Sequence, residues 1–133
     1  MIIGIGTDIC DTRRIEKVID RFDTRFIGRV FTNAEQLAAS SRKNPAYFFA
    51  KRFAAKEAVY KALGKSDVSG RSWHDAEILN NADGAPFVTL SGRCKTALEA
   101  LTPDGYKAQI DLSLSDELPY ALAFIVLSAI PNL

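Results

Sequence analysis

The chain has 133 residues, with 17 lysines and arginines against 16 aspartates and glutamates, and 47% of its residues are hydrophobic. This length suits one domain, residues 1–133, and the balanced charge argues against a general nucleic-acid-binding protein. It contains no apolar run long enough to span a membrane and no signal peptide, and the two cysteines, Cys10 and Cys94, form no motif. We therefore expect a cytoplasmic protein with reduced thiols and with neither a membrane nor a nucleic acid as its partner.

The N-terminal third predicts a strand followed by two short helices. Residues 1–9 alternate as a strand does, and the alternation places Asp8 on the same face as Gly4 and Gly6, near the strand end. Asp11 or Thr12 can cap the first helix. Thr32 and Glu35 have capping-box spacing and predict the second helix. The apolar stripe of the first helix consists of Ile15, Val18, Ile19 and Phe22.

A longer helix follows, with Asn44 as a plausible N-cap, Pro45 at its first position and Gly64 just past its end. It is apolar nearly all round, and such a helix is usually buried. Glu57 falls on its buried side, where a carboxylate needs a partner, a proton or a metal. Small residues recur every four positions and would allow another element to approach closely: Ala46, Ala50, Ala54 and Ala58.

The rest of the chain predicts two hairpins with a helix between them. After a polar loop over residues 65–72, strands over 76–79 and 87–90 are joined by a turn that contains Gly84. Ser91 opens a helix that ends before Pro103, and alternation from Tyr106 to Ser115 predicts a strand that pairs with a last apolar strand over 120–127. This order predicts an α+β fold, a mainly antiparallel sheet with the long central helix packed on it.

Asp8 and Glu57 form the first candidate site. Two partly buried carboxylates repel each other unless a cation joins them. A site with oxygen ligands only suits Mg²⁺, particularly where a phosphate group completes the coordination shell. The alternative is structural: Glu57 pairs with Lys61 at i+4 on the helix surface, and Asp8 caps a turn.

Two groups of basic residues are the remaining candidates. Arg52, Lys56 and Lys61 lie on the long helix before Gly64, and cations beside a carboxylate-bound metal could hold a diphosphate. On the first helix a basic stripe faces away from the apolar stripe and suggests an acidic partner docked by charge. Either group could instead be an ordinary solvated face. The stripe consists of Arg14, Lys17 and Arg21, with Arg13, Arg25 and Arg29 nearby.

Taken together, these motifs resemble the holo-acyl-carrier-protein synthases, the small trimeric class of 4′-phosphopantetheinyl transferases. The resemblance covers nearly the whole chain. The motifs are Gly4-Ile5-Gly6-Thr7-Asp8-Ile9, Arg14-Ile15, Arg52-Phe53-Ala54-Ala55-Lys56-Glu57-Ala58, Lys61-Ala62-Leu63-Gly64, Asp83-Gly84-Ala85-Pro86, Ser113-Leu114-Ser115 and Tyr120-Ala121-Leu122-Ala123. Many members carry histidine after the Ser-x-Ser/Thr stretch, where this chain has Asp116, so a role of that histidine does not transfer.

The resemblance implies the 4′-phosphopantetheinyl transferase fold and a Mg²⁺-dependent reaction that supports fatty acid biosynthesis. The arm of coenzyme A passes to a serine of apo acyl carrier protein, and adenosine 3′,5′-bisphosphate is released. Asp8 and Glu57 would hold the metal, and Lys61 would bind phosphate and assist the leaving group. Glu57 or a metal-bound water would take the serine proton.

The resemblance also implies a homotrimer with coenzyme A in a cleft shared by neighbouring subunits. The expected contacts of coenzyme A are Arg52, Lys56, Lys61, Gly64, Gly84, Pro86 and Ser113. The expected docking residues for the acidic carrier protein are Arg14, Lys17, Arg21 and Arg25. Two other classes stay open: a catalytically silent module that binds carrier protein, and a small nucleic-acid-binding protein.

Overall fold

The computed structural model of the chain describes residues 1–64 and 72–133. Its elements follow the predicted order, with one additional helix and a short 3₁₀ turn, Trp73–Asp75. The strands are β1 (Ile2–Asp11), β2 (Ala76–Asn80), β3 (Pro86–Leu90), β4 (Tyr106–Glu117) and β5 (Tyr120–Pro131). The helices are α1 (Thr12–Phe22), α2 (Thr24–Val30), α3 (Asn33–Ser40), α4 (Pro45–Leu63) and α5 (Gly92–Leu101).

The strands form two antiparallel sheets. The larger has the order β1-β5-β4, and the smaller is the β2–β3 hairpin. Asp8 of β1 pairs with Ala123 of the central strand β5. At the opposite edge of β5, Phe124 pairs with Ser113 of β4. This α+β architecture, with α4 packed on the larger sheet, confirms the predicted fold class.

The close approach of α4 to β1 depends on two glycines. A Cβ atom on Gly4 would collide with the carbonyl oxygen of Ala62, and one on Gly6 would collide with that of Ala58. The glycines of β1 therefore pack against Ala58, the last residue of the predicted small-residue ridge, and against Ala62 four residues further on. The sequence predicted a close approach to this ridge but did not identify the approaching element. Because Asp8 is on the same face of β1 as these glycines, this packing brings its carboxylate to α4.

The helix-start signals are largely confirmed. The Asp11 side chain accepts a hydrogen bond from the Arg13 amide at 2.9 Å, and Thr32 and Glu35 form a reciprocal capping box at the start of α3. Asn44 occupies the N-cap position of α4, but its side chain makes no capping hydrogen bond. The predicted loop over 65–72 lies outside the described residues except at its last position.

One helix was not predicted. α2 is only seven residues long, contains a glycine and begins directly after Asp23, whose φ of 46° separates it from α1. A segment this short gives little helical periodicity in a sequence. None of the helices in the described part of the chain is both long and apolar enough to cross a lipid bilayer.

A patch of exposed apolar side chains lies on the outer face of the larger sheet. Ile5 and Ile9 are 60% and 62% exposed, and on the adjacent strand Leu122 and Phe124 are exposed as well. The alanines of α4 from Ala50 onwards are buried within the chain, and Gly4 and Gly6 of β1 pack directly against two of them.

Candidate active site

The structure brings Asp8, Glu57 and Lys61 together at the contact between β1 and α4. The Lys61 Nζ lies 3.0 Å from the Asp8 Oδ1 and donates to the Thr7 carbonyl at 3.1 Å. Glu57 precedes Lys61 by four residues, so the two side chains project from the same side of α4. Lys61 thus forms its ion pair with the strand carboxylate and not with its helical neighbour.

The two carboxylates are electrostatic neighbours. Partial burial raises the pKa of the Glu57 carboxyl above its ordinary range, and the Asp8 charge raises it further. The Lys61 and Arg14 charges act in the opposite direction. A carboxylate whose pKa is raised by a second carboxylate lies in a negative field that also attracts a cation.

The donor set fits a hard divalent cation that shares its coordination shell with a ligand. Asp8 and Glu57 supply carboxylate oxygens, which Mg²⁺ prefers over nitrogen or sulfur. Within the described residues, no group of three or more His, Cys, Asp or Glu side chains is placed to hold a metal. Two carboxylates are the number that Mg²⁺ commonly uses when phosphate oxygens provide further ligands.

Lys56 does not join this site, which corrects the expectation that Arg52, Lys56 and Lys61 form one basic cluster. Its Nζ lies 2.9 Å from the Glu35 Oε1, and both side chains are 0% exposed. The reason is helical geometry: successive residues are rotated by about 100°, so adjacent residues such as Lys56 and Glu57 leave α4 in different directions. Lys56 points towards α3 and β2, and Glu57 towards β1.

Arg52 lies on the Lys56 side of α4, next to the β2–β3 hairpin. Its guanidinium donates to the Asn80 Oδ1 at 2.8 Å and lies 3.9 Å from the centre of the Phe48 ring. Arg52 is only 3% exposed, and burial lowers its pKa to about 10. Among the residues that the structure describes, its Nε has no hydrogen-bond partner.

The remaining predicted coenzyme A residues are distributed over three places. Pro86 pairs with Asn80 beside Arg52, and Gly84, with φ of 88°, forms the turn of the same hairpin. Gly64 ends α4 with φ of 64°. Ser113 is exposed on the outer face of the larger sheet. One chain therefore does not gather these residues around Asp8 and Glu57.

A groove of about 610 Å³ runs between α1, α2 and α4. Three arginines line it, and its other lining side chains are apolar. The lining residues are Arg14, Ile15, Val18, Phe22, Arg25, Phe26, Arg29, Val30, Phe53 and Trp73. An apolar groove edged by arginines suits a partner with an apolar face surrounded by acidic side chains.

The four predicted docking residues do not all share this groove. Arg14 and Arg25 line it, whereas Lys17 lines a neighbouring depression and the Arg21 guanidinium lies over the Phe22 ring at 5.1 Å. Arg29 was noted in the sequence only as a nearby residue, and it becomes a groove residue because α2 turns it towards α4.

The groove lies close to the carboxylate site. Arg14 lies 5.9 Å from the centre of the Phe53 ring, and its charge acts on Glu57. Phe53 is one helical turn before Glu57 on α4. A partner bound in the groove would therefore present its neighbouring residues to Asp8 and Glu57.

A profile of the 4′-phosphopantetheinyl transferase superfamily matches residues 4–123. A holo-[acyl-carrier-protein] synthase of Rhodopseudomonas palustris (strain HaA2) is 53% identical, over 98% of this chain and 96% of the relative.

Two solved structures show the same fold over almost the whole chain. The holo-[acyl-carrier-protein] synthase from Neisseria meningitidis has a TM-score of 0.83 at 37% identity and covers 96% of this chain and 99% of its own. The holo-(acyl-carrier-protein) synthase from Bacillus anthracis str. Ames, solved in complex with CoA (3′,5′-ADP), has a TM-score of 0.75 at 33% identity and covers 98% of each chain. The chain belongs to the 4′-phosphopantetheinyl transferase superfamily and, within it, to the holo-[acyl-carrier-protein] synthases.

Proposed function

We propose that this chain transfers the 4′-phosphopantetheine arm of coenzyme A to a serine of apo acyl carrier protein in a Mg²⁺-dependent reaction. Residues 1–133 act as a single transferase domain. The observation that carries the proposal is the pairing of Asp8 with Glu57, beside Lys61, close to a groove lined by arginines. The groove would bind the protein substrate, and the two carboxylates would bind a cation that also contacts the phosphates of coenzyme A.

The reaction exchanges the phosphoanhydride bond of coenzyme A for a phosphate ester bond to serine. The serine Oγ attacks the β-phosphorus of coenzyme A, the bond to adenosine 3′,5′-bisphosphate breaks, and the serine proton passes to a base. Asp8 and Glu57 would hold Mg²⁺, which supplies neutralisation of the charge on the diphosphate.

Lys61 and Glu57 have separate roles in this scheme. Lys61 is 3.0 Å from Asp8 and stabilises the negative charge that develops on the departing phosphate oxygen. Glu57 is the protein group proposed to accept the serine proton, because partial burial favours its protonated form.

We place this reaction in the cytoplasm and in support of fatty acid biosynthesis. Cys10 is buried and forms no disulfide within the described residues, as is usual in a reducing compartment.

We further propose that coenzyme A binds between neighbouring subunits of a trimer. Arg52, Gly84 and Pro86 lie by the β2–β3 hairpin, on a different side of α4 from Glu57 and Lys61. A subunit boundary would let one ligand contact both groups. The guanidinium of Arg52 is buried, and its Nε, which has no hydrogen-bond partner among the described residues, suits a phosphate of the nucleotide.

The outer face of the larger sheet is the surface that would form this trimer. Its exposed isoleucines, Leu122 and Phe124 form an apolar patch on adjacent strands, and contiguous patches of this kind mark protein interfaces. Ser113 lies beside Phe124 on this face, so an interface here would also bring Ser113 to a neighbouring subunit.

Replacing Phe124 by aspartate should therefore convert the trimer to monomers, because a carboxylate in a buried apolar interface is strongly destabilising. Sedimentation velocity at micromolar concentration measures this change, and coenzyme A affinity should fall with it. Leu37→Asp is the matched control, since Leu37 is 75% exposed on α3. A wild-type protein that sediments as an active monomer would contradict the trimer.

The function itself is tested by two measurements on the wild-type protein. Calorimetry should show coenzyme A binding that strengthens with Mg²⁺, and mass spectrometry should show apo acyl carrier protein gaining the phosphopantetheine arm. A chain that binds the carrier protein but never coenzyme A would be a silent binding module. A chain that binds only nucleic acid would refute the proposal.

A further inference from the structure

Lys56 belongs to a buried network that attaches the backbone of residues 73–76 to α4. Its Nζ donates to the carbonyls of Trp73 at 2.9 Å and Ala76 at 2.6 Å, in addition to its ion pair with Glu35. Glu35 in turn accepts the backbone amides of Thr32 and Ile78, both at 2.9 Å. Every donor and acceptor in this network has a partner, so the network holds the backbone near Trp73 in one position.

The indole ring of Trp73 also packs against aromatic side chains of α4. The ring stacks on Phe53 with 5.2 Å between ring centres and lies 5.1 Å from the Tyr60 ring. On the other side, the His74 Nε2 lies 2.9 Å from the carbonyl oxygen of Gly28 in α2. The segment is thus attached to α4 and to α2, two of the three helices that form the groove.

We propose that Trp73 is an apolar contact for the protein substrate and that Lys56 is the positioning residue that holds Trp73 in the groove. This inference rests on the proposed function and deepens it. It gives Lys56 a role towards the carrier protein, whereas the sequence motif suggested a contact with coenzyme A. A rigid aromatic side chain that is already in its bound position loses little entropy on binding, so such residues often dominate an interface.

The charge and polarity of the groove indicate which kind of partner it binds. Arg14, Arg25 and Arg29 surround an apolar surface that Trp73 and Phe53 share. A helix with an apolar face and flanking carboxylates complements both the charge and the polarity of this surface. Such a helix is the structure that an acidic carrier protein would place here.

Trp73→Ala tests the contact. We expect the KM for apo carrier protein, and its Kd measured by calorimetry without coenzyme A, to rise at least about tenfold, with the Kd for coenzyme A unchanged. Trp73→Phe should recover most of this loss, because it keeps the stack on Phe53. Leu37→Ala, a large apolar residue outside the groove, should change neither constant. Carrier-protein affinity that is unchanged in Trp73→Ala would overturn the proposal.

The double variant Lys56→Met/Glu35→Gln tests whether Lys56 positions Trp73. Replacing both residues removes the two buried charges together, so neither is left unpaired. Trp73 is the only tryptophan of the chain, so its fluorescence reports its position directly. We expect a red-shifted emission and a raised carrier-protein KM, with coenzyme A affinity preserved. Weakened coenzyme A binding with an unchanged emission would instead identify Lys56 as a nucleotide contact.

If the double variant does not fold, the Trp73 variants decide the question alone. The binding measurement also separates this inference from the proposed function. A wild-type protein that binds the carrier protein through Trp73 but transfers no group would refute the reaction and leave the contact intact.

Discussion

Replacing Glu57 by glutamine should lower kcat at least about 100-fold, which corresponds to about 3 kcal/mol of transition-state stabilisation. Glutamine keeps the shape of the side chain but removes the charge that would bind the cation and accept the serine proton. The neighbouring Asp8 remains, yet a single carboxylate holds Mg²⁺ more weakly than two. Steady-state transfer to apo carrier protein, measured over a series of Mg²⁺ concentrations, gives both kcat and the apparent metal affinity.

Glu99→Gln is the matched control for this variant. Glu99 is an exposed glutamate on α5, so the same loss of charge there should leave kcat within experimental error of the wild type. Circular dichroism of both variants separates a catalytic loss from unfolding. Near-wild-type activity of Glu57→Gln at ordinary Mg²⁺ concentration would reject the assignment of Glu57 to the metal and to the reaction.

The position of the carboxylates could be predicted because two local patterns agree. Gly4 and Gly6 leave β1 without side chains over the part of one face that contacts α4. The small alanine side chains of α4 allow the two backbones to approach closely there. Since Asp8 continues the glycine face, its position relative to α4 follows from strand alternation. The resemblance to the transferase family identified the same two carboxylates independently.

The direction of Lys56 could not be predicted in the same way. The sequence places a lysine beside Glu57 but does not show that Glu35, on another helix, would lie opposite it. Only the packing of α3 against α4 and β2 creates that partner. A charged residue on a buried helix therefore predicts that a partner exists and leaves open which one.

The groove was missed for a related reason. Its walls come from α1, α2 and α4, and α2 is too short to give a clear helical pattern. The basic stripe on α1 predicted a positively charged surface in this region, and three arginines do line the groove. However, the spacing of Arg14, Lys17 and Arg21 within one helix could not show that Arg25 and Arg29 would line the same groove as Arg14.

The docking surface is tested most clearly by reversing the charge of Arg25 and Arg29 together. Arg14 is a poorer choice, because its charge also acts on Glu57 and a change there would mix docking with catalysis. Single exposed ion pairs contribute only about 0.2–1 kcal/mol. Two reversals add repulsion to the lost attraction, so Arg25→Glu/Arg29→Glu should raise the KM for carrier protein about tenfold or more.

Salt dependence identifies the cause of that increase. The screening length falls to about 3 Å at 1 M salt, so the difference between the double variant and the wild type should shrink as salt is added. Arg93→Glu/Lys95→Glu on α5 makes the same change in net charge outside the groove and should leave the KM nearly unchanged. Coenzyme A affinity should be the same in all of these proteins, because the proposed nucleotide contacts are elsewhere. If the reversal at Arg25 and Arg29 weakened coenzyme A binding and left the carrier-protein KM unaltered, the groove would belong to the nucleotide and the carrier protein would dock on another surface.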